Sequence, residues 1–188
     1  MEAIKTELDG VVEIVPSRHG DHRGYFSETF RDDWFRANIA PVGFVQENQS
    51  LSRAPGVVRG LHFQSMPSAQ GKLIRCLAGS IFDVAVDIRQ GSPNFGKWTA
   101  VSLTAEKGNQ LWVPAGFLHG FCTLEPDCLV AYKVTAYYDA ACDKGVLWND
   151  PAIGVDWPEL ADPAQLSPKD TRQPLLADLP TYFTFGDY

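Results

Sequence analysis

The chain predicts an all-β fold, a sandwich or jelly roll with a few short peripheral helices, and three observations carry that prediction. Thirteen prolines and sixteen glycines in 188 residues imply many turns. Those turn signals recur about every eight to twelve residues, the spacing of sandwiches and barrels. No strand–helix–strand rhythm interrupts them, so a parallel sheet is disfavoured. With 45% hydrophobic and 12% aromatic residues there is ample material for a core. No linker or internal repeat is visible, and residues 1–188 are expected to form one domain.

Each element follows from a local pattern. Residues 10–16 hold a short apolar run, Val11, Val12, Ile14 and Val15. Residues 19–24 are a polar turn leading into an aromatic stretch that includes Tyr25 and Phe26. Asp32–Asn38 is the best helix candidate, with Asp32 able to cap it and Trp34, Phe35 and Ala37 on an apolar side. Residues 81–89 alternate, with Phe82, Val84, Val86 and Ile88 on one face and Asp83, Ala85, Asp87 and Arg89 on the other. Residues 91–96 are a turn, and 98–103, 110–113 and 129–135 read as further strands. The proline-rich tail from Asn149 is expected to wrap the body as loops and short helices. A jelly roll built this way has an open-ended lumen able to hold a small ligand.

Composition narrows the partners. A net charge of −7 argues against nucleic acid or an anionic membrane as the main partner. Any bound anion must be held by a few local cations. The first residues carry acids and no apolar run, so no signal peptide is expected, and no stretch has the length of a membrane span. The four cysteines form no Cys-x-x-Cys pair and read as free thiols of a cytoplasmic protein.

The chemistry is concentrated in Arg59-Gly60-Leu61-His62-Phe63-Gln64 and the following Gln70-Gly71-Lys72-Leu73. An arginine, a histidine and a lysine thus lie within fourteen residues. His62 is the one histidine flanked on both sides by large apolar residues. A half-buried imidazole close to two cations suits proton transfer on an anionic substrate. Tyr132 shares parity with Val130 and Val134, which points its ring inward. His119 lies in a glycine-rich bend and Asp170 in a loop beyond the strands. Taken singly, each has an ordinary structural reading: a satisfied core histidine, a tyrosine bonded to backbone, an exposed loop acid. Four histidines without a His-x-His pair, and Gln64 two residues after His62, disfavour a metal centre. Metal-free acid–base chemistry is expected.

Many short motifs in register resemble the dTDP-4-dehydrorhamnose 3,5-epimerase family. They include Asp21-His22-Arg23-Gly24-Tyr25-Phe26-Ser27-Glu28, Gln46-Glu47-Asn48-Gln49-Ser50, the two segments around His62 and Lys72, and Asp83-Val84-Ala85-Val86-Asp87. Ser92-Pro93-Asn94-Phe95-Gly96, residues 114–121, Tyr132-Lys133, Tyr137-Tyr138, Trp148-Asn149-Asp150-Pro151 and Ser167-Pro168-Lys169-Asp170 extend the likeness over nearly the whole chain. The resemblance implies a cupin-type jelly roll, usually a homodimer, acting without metal or organic cofactor on a dTDP-linked 4-keto-6-deoxyhexose. It implies His62 as base, Asp170 as its orienting partner, Tyr132 as the acid on the opposite face and Lys72 near the C4 oxygen. It also implies substrate contacts for Arg23, Glu28, Gln46, Asn48, Arg59, His119, Asp143 and Lys169, while Phe26 or Tyr138 is the candidate to stack on thymine.

The physical logic agrees with these roles. A 4-keto group acidifies the C–H bonds at C3 and C5 because the carbanion delocalises onto oxygen as an enolate. Inversion then requires a proton from the opposite face, so one base alone cannot complete it. Enzymes inverting C3 only or C5 only, and a non-catalytic sugar-nucleotide binder, are the alternatives. The presence of His62, Lys72, Tyr132 and Asp170 together favours an enzyme. Strict alternation puts Arg59 and His62 on opposite faces, and a bulge at Gly60 would bring both into one pocket.

Overall fold

Strands form wherever apolar residues alternate or run together between glycine turns. In the computed structural model, which describes residues 1–187, they are β1 (Glu2–Lys5), β2 (Val12–Val15), β3 (His19–Asp21), β4 (Gly24–Phe26), β5 (Gln46–Ser52), β6 (Val58–Gln64), β7 (Lys72–Ala78) and β8 (Ser80–Asp87). Then follow β9 (Arg89–Gln90), β10 (Trp98–Thr104), β11 (Gln110–Val113), β12 (Phe117–Thr123), β13 (Cys128–Val134), β14 (Asp143–Gly145) and β15 (Phe183–Thr184). One α-helix, α1 (Asp32–Asn38), and three short 3₁₀ turns complete the described residues.

Two antiparallel sheets make the jelly roll. The larger has the order β1-β2-β11-β7-β13-β5 and the smaller β10-β8-β12-β6-β14. Their facing sides share one apolar cluster, with Ile74, Leu111, Val113 and Val130 from the first and Ile81, Ala85, Phe117 and Phe121 from the second. Both outer faces are also covered. The tail beyond residue 149 lays Ile153, Leu176 and Phe183 over Leu61, Phe63, Val84 and Val86 of the smaller sheet. The segment around α1 covers Leu73, Trp112 and Ile14 of the larger one.

This double cover explains β8. Its alternation is the predicted one, with Val84 and Val86 outward and Ala85 toward the lumen, yet both sets are buried. Asp83 and Asp87, which share the parity of lumen-facing Ala85, are wholly shielded from solvent. Asp87 is balanced by Arg89 at 2.6 Å and Ser92 at 2.7 Å, and it closes the turn at residues 91–96.

The helix occupies the predicted residues but starts differently. Arg31 stands at the N-cap with no side-chain cap bond, and Asp32 instead pairs with Arg36 at 2.7 Å. An exposed cation one turn on is a better partner for that carboxylate than the backbone. Phe35 is buried, edge-on to Phe44 and Trp112 at 5.1 and 5.2 Å, whereas Ala37 is exposed. Burying one such ring contributes about 1.5–3 kcal/mol. Seven residues are too few for a stable free helix, so this packing is what holds it.

Candidate active site

The flanks of His62 decide where its ring points. Leu61 and Phe63 are buried in the outer cluster under the C-terminal tail, so His62 between them projects into the lumen. There Nε2–H donates to Asp170 Oδ1 at 2.5 Å, across 108 residues of sequence. Asp170 is buried on a 3₁₀ turn and its backbone N–H donates to Ser167 Oγ at 3.1 Å. Burial pushes the Asp170 carboxyl upward, but the His62 hydrogen bond and charge, Ser167 and Lys169 together bring it below the ordinary range. An ionised carboxylate can only accept, so Nε2 carries the proton and Nδ1 is left as the basic nitrogen.

A bulge at Gly60 brings Arg59 to the same side. The β6–β12 pairing runs His119 to His62 and then Phe121 to Arg59, one residue longer on β6. Gly60 has φ +137°, and a Cβ there would sit 2.6 Å from Gly120 Cα. Only glycine combines that backbone with such close contact. Arg59 and His62 both line one cavity of about 470 Å³ with Lys72, His119, Tyr132, Lys169 and Asp170.

The larger sheet supplies the opposite wall. Lys72 and Tyr132 project inward from β7 and β13, Tyr132 packing beside the lumen cluster as its parity predicts. Burial pulls the Lys72 ammonium down to about 8, against the pull of Asp143 and Asp83. Its one hydrogen bond among the described residues is to the His62 carbonyl at 3.4 Å, which leaves donors for a ligand. The Tyr132 phenol is pushed up by burial, more than Arg59 and a hydrogen bond with Asn48 lower it, so it stays protonated at neutral pH. Gln46 Nε2 donates to Asn48 Oδ1 at 2.7 Å, tying both to this wall.

His119 is held by Asp83 Oδ1 at 2.8 Å, both side chains being buried. At the rim Asp143 accepts from Lys169 and, at 3.2 Å, from the Tyr138 hydroxyl. Arg23, Phe26 and Glu28 are placed elsewhere: they lie on or just after the β3–β4 hairpin, outside the cavity lining. Phe26 is 71% exposed, and among the described residues Arg23 pairs with Asp21 of its own turn alone. A more open groove of about 1130 Å³ along β1 and β10 has no histidine, tyrosine or arginine in its lining. Among the described residues no three His, Cys, Asp or Glu side chains converge as a metal site.

A family model described as dTDP-4-dehydrorhamnose 3,5-epimerase matches residues 5–178. The chain belongs to that family. A dTDP-4-dehydrorhamnose 3,5-epimerase from Sinorhizobium fredii is 58% identical over 172 residues, spanning 92% of this chain and 88% of the relative. Among solved structures, a dTDP-6-deoxy-D-glucose-3,5-epimerase from Legionella pneumophila in complex with dTDP-4-keto-L-rhamnose superposes with a TM-score of 0.91 at 41% identity, covering 98% of both chains. A 3'-monoepimerase from Streptomyces bikiniensis in complex with dTDP-quinovose has a TM-score of 0.84 at 34% identity over 92% of this chain and 86% of its own.

Sequence reasoning did not single out Asp83, Ser50 or Ser167, which this epimerase-family pocket places in its lining or directly behind it. The signal for Asp83 was available: it is an acid at an inward position of a strand whose other side chains are mainly apolar. Ser50 shares inward parity with Asn48 on β5, and Ser167 opens the turn that carries Asp170.

Proposed function

We propose that this chain inverts C3 and C5 of dTDP-4-keto-6-deoxy-D-glucose to give dTDP-4-keto-L-rhamnose, with His62, Asp170, Tyr132 and Lys72 as its acid–base machinery. The observation that carries this reading is the His62–Asp170 pair on one sheet and Tyr132 with Lys72 on the other, in one cavity. Neutral His62 takes the proton from the carbon next to the ketone, and the electron pair moves onto O4 as an enolate. Asp170 stabilises the imidazolium that forms. The Lys72 ammonium donates to the enolate oxygen in a partly dewatered site, where such a contact is worth most. Tyr132 then delivers its phenolic proton from the opposite face. Solvent resets both groups, and the cycle repeats at the second carbon.

Arg59 and Lys169 are suited to the diphosphate, Arg59 through its planar fork. Arg23, Phe26 and Glu28 cannot serve from an exposed hairpin unless a second copy receives it. The functional unit is therefore a homodimer in which the hairpin of one copy reaches the pocket of the other. Full activity in a species that sediments as a monomer would remove this part of the proposal. Four buried free cysteines suit the reducing cytoplasm, and no helix among the described residues is long and apolar enough to cross a membrane.

Inversion at one carbon only is the competing reading, because the Streptomyces bikiniensis monoepimerase has the same fold. The 58% identity to a double epimerase over 92% of the chain favours both centres. Product stereochemistry tests it. NMR coupling constants of the product are expected to report the L-sugar, inverted at C3 and C5. A product inverted at a single centre would sink the double inversion.

A further inference from the structure

Asp83 is a buried charge for which the proton-transfer scheme has no use. It points into the lumen from β8 and is fully shielded. Oδ1 meets His119 Nε2 at 2.8 Å, while Oδ2 has no hydrogen-bond partner among the described residues. A buried polar atom left unsatisfied costs about 1–3 kcal/mol, and more when charged, so its retention calls for a reason. The other carboxylates near Lys72 are already committed: Asp143 is paired with Lys169 and Asp170 with His62. Among the described residues Asp83 has no ion pair with a lysine or arginine.

We propose that Asp83 is a positioning residue for the oxyanion side of the pocket, orienting His119 as the Nε2–H tautomer and supplying the buried negative charge that faces Lys72. With Nε2–H donated to Asp83, His119 Nδ1 has a free lone pair and accepts from a sugar hydroxyl. The second role rests on the assignment of Lys72 to the C4 oxygen. Without a countercharge a buried ammonium loses its proton and with it the ability to stabilise an enolate. The groups acting on Lys72 are Asp143 from β14 and Asp83 from β8, which favour its charge, and Lys169 from the tail, which opposes it. Arg59, His62, His119 and Tyr132 share its lumen.

The test is ¹⁵N NMR without substrate, so it reads Asp83 apart from the assignment of the reaction. In the unaltered protein His119 is expected to carry its proton on Nε2 with Nδ1 bare. In Asp83→Asn, which keeps the shape and removes the charge, the Lys72 Nζ titration is expected to move down by about one pH unit. The sign follows from the removal of an attractive carboxylate. The alkaline limb of kcat/KM, near pH 8 where the unaltered Lys72 titrates, is expected to move with it. Asp83→Glu, which restores the charge, should recover most of that shift. An Nδ1–H tautomer at His119, or a Lys72 midpoint unchanged in Asp83→Asn, overturns the proposal. The tautomer measurement decides the first role even if Asp83→Asn does not fold.

Discussion

His62→Asn is expected to abolish solvent exchange at both C3 and C5 of the bound sugar while nucleotide binding persists. Both exchanges depend on the same neutral imidazole, so neither carbon should escape. Losing a general base costs on the order of 10²–10⁴-fold in rate. Asparagine is chosen because His62 is the partner of buried Asp170 at 2.5 Å. Removing that partner outright strands a buried carboxylate, a loss of about 3–5 kcal/mol. An asparagine amide can still donate to it, so the loss of exchange is read on a folded protein. Exchange at either carbon within tenfold of the unaltered rate would refute His62 as the common base.

Tyr132→Phe should separate two rates that are coupled in the unaltered protein. Proton abstraction by His62 continues, and the enolate reprotonates from the same face, so deuterium enters faster than the inverted sugar accumulates. Net inversion is expected to fall by about 10²–10⁴-fold while exchange falls far less. The ring remains packed beside Val130, but Asn48 loses its hydroxyl partner. An amide left without its partner in a half-buried site costs about 1–3 kcal/mol, which a urea titration would record. Equal falls in exchange and inversion, or no fall in either, would remove Tyr132 as the opposing acid.

Local pattern carried much of this architecture. The β8 alternation, the inward parity of Tyr132 and the bounds of α1 all follow from side-chain spacing, because a strand has a period of two and a helix of 3.6. The Gly60 bulge was legible too, since Arg59 and His62 could share a pocket in no other way on one strand. What spacing cannot supply is the path of the tail. Asp170 reaches His62 because Ile153, Leu176 and Phe183 are buried on the outer face of the smaller sheet, guiding the chain between them past the cavity mouth. Lys169 meets Asp143 for the same reason, across 26 residues. Asp83 was overlooked because an acid in a strand ordinarily faces solvent, although the parity it shares with lumen-facing Ala85 marks it as inward. The hairpin bearing Arg23 and Phe26 was legible as residue types but not as placement: motif matching says nothing about which copy of a chain a side chain serves.

The most direct test of the central claim is ¹H and ²H NMR of dTDP-4-keto-6-deoxy-D-glucose turned over in D₂O, with C3 and C5 followed separately. Epimerisation through an enolate predicts one deuterium at each of the two carbons in the L-sugar formed. An inverted carbon that keeps its original hydrogen would contradict proton transfer with solvent-exchanging groups. Deuterium and inversion confined to one carbon would contradict the claim that a single His62–Tyr132 pair serves both.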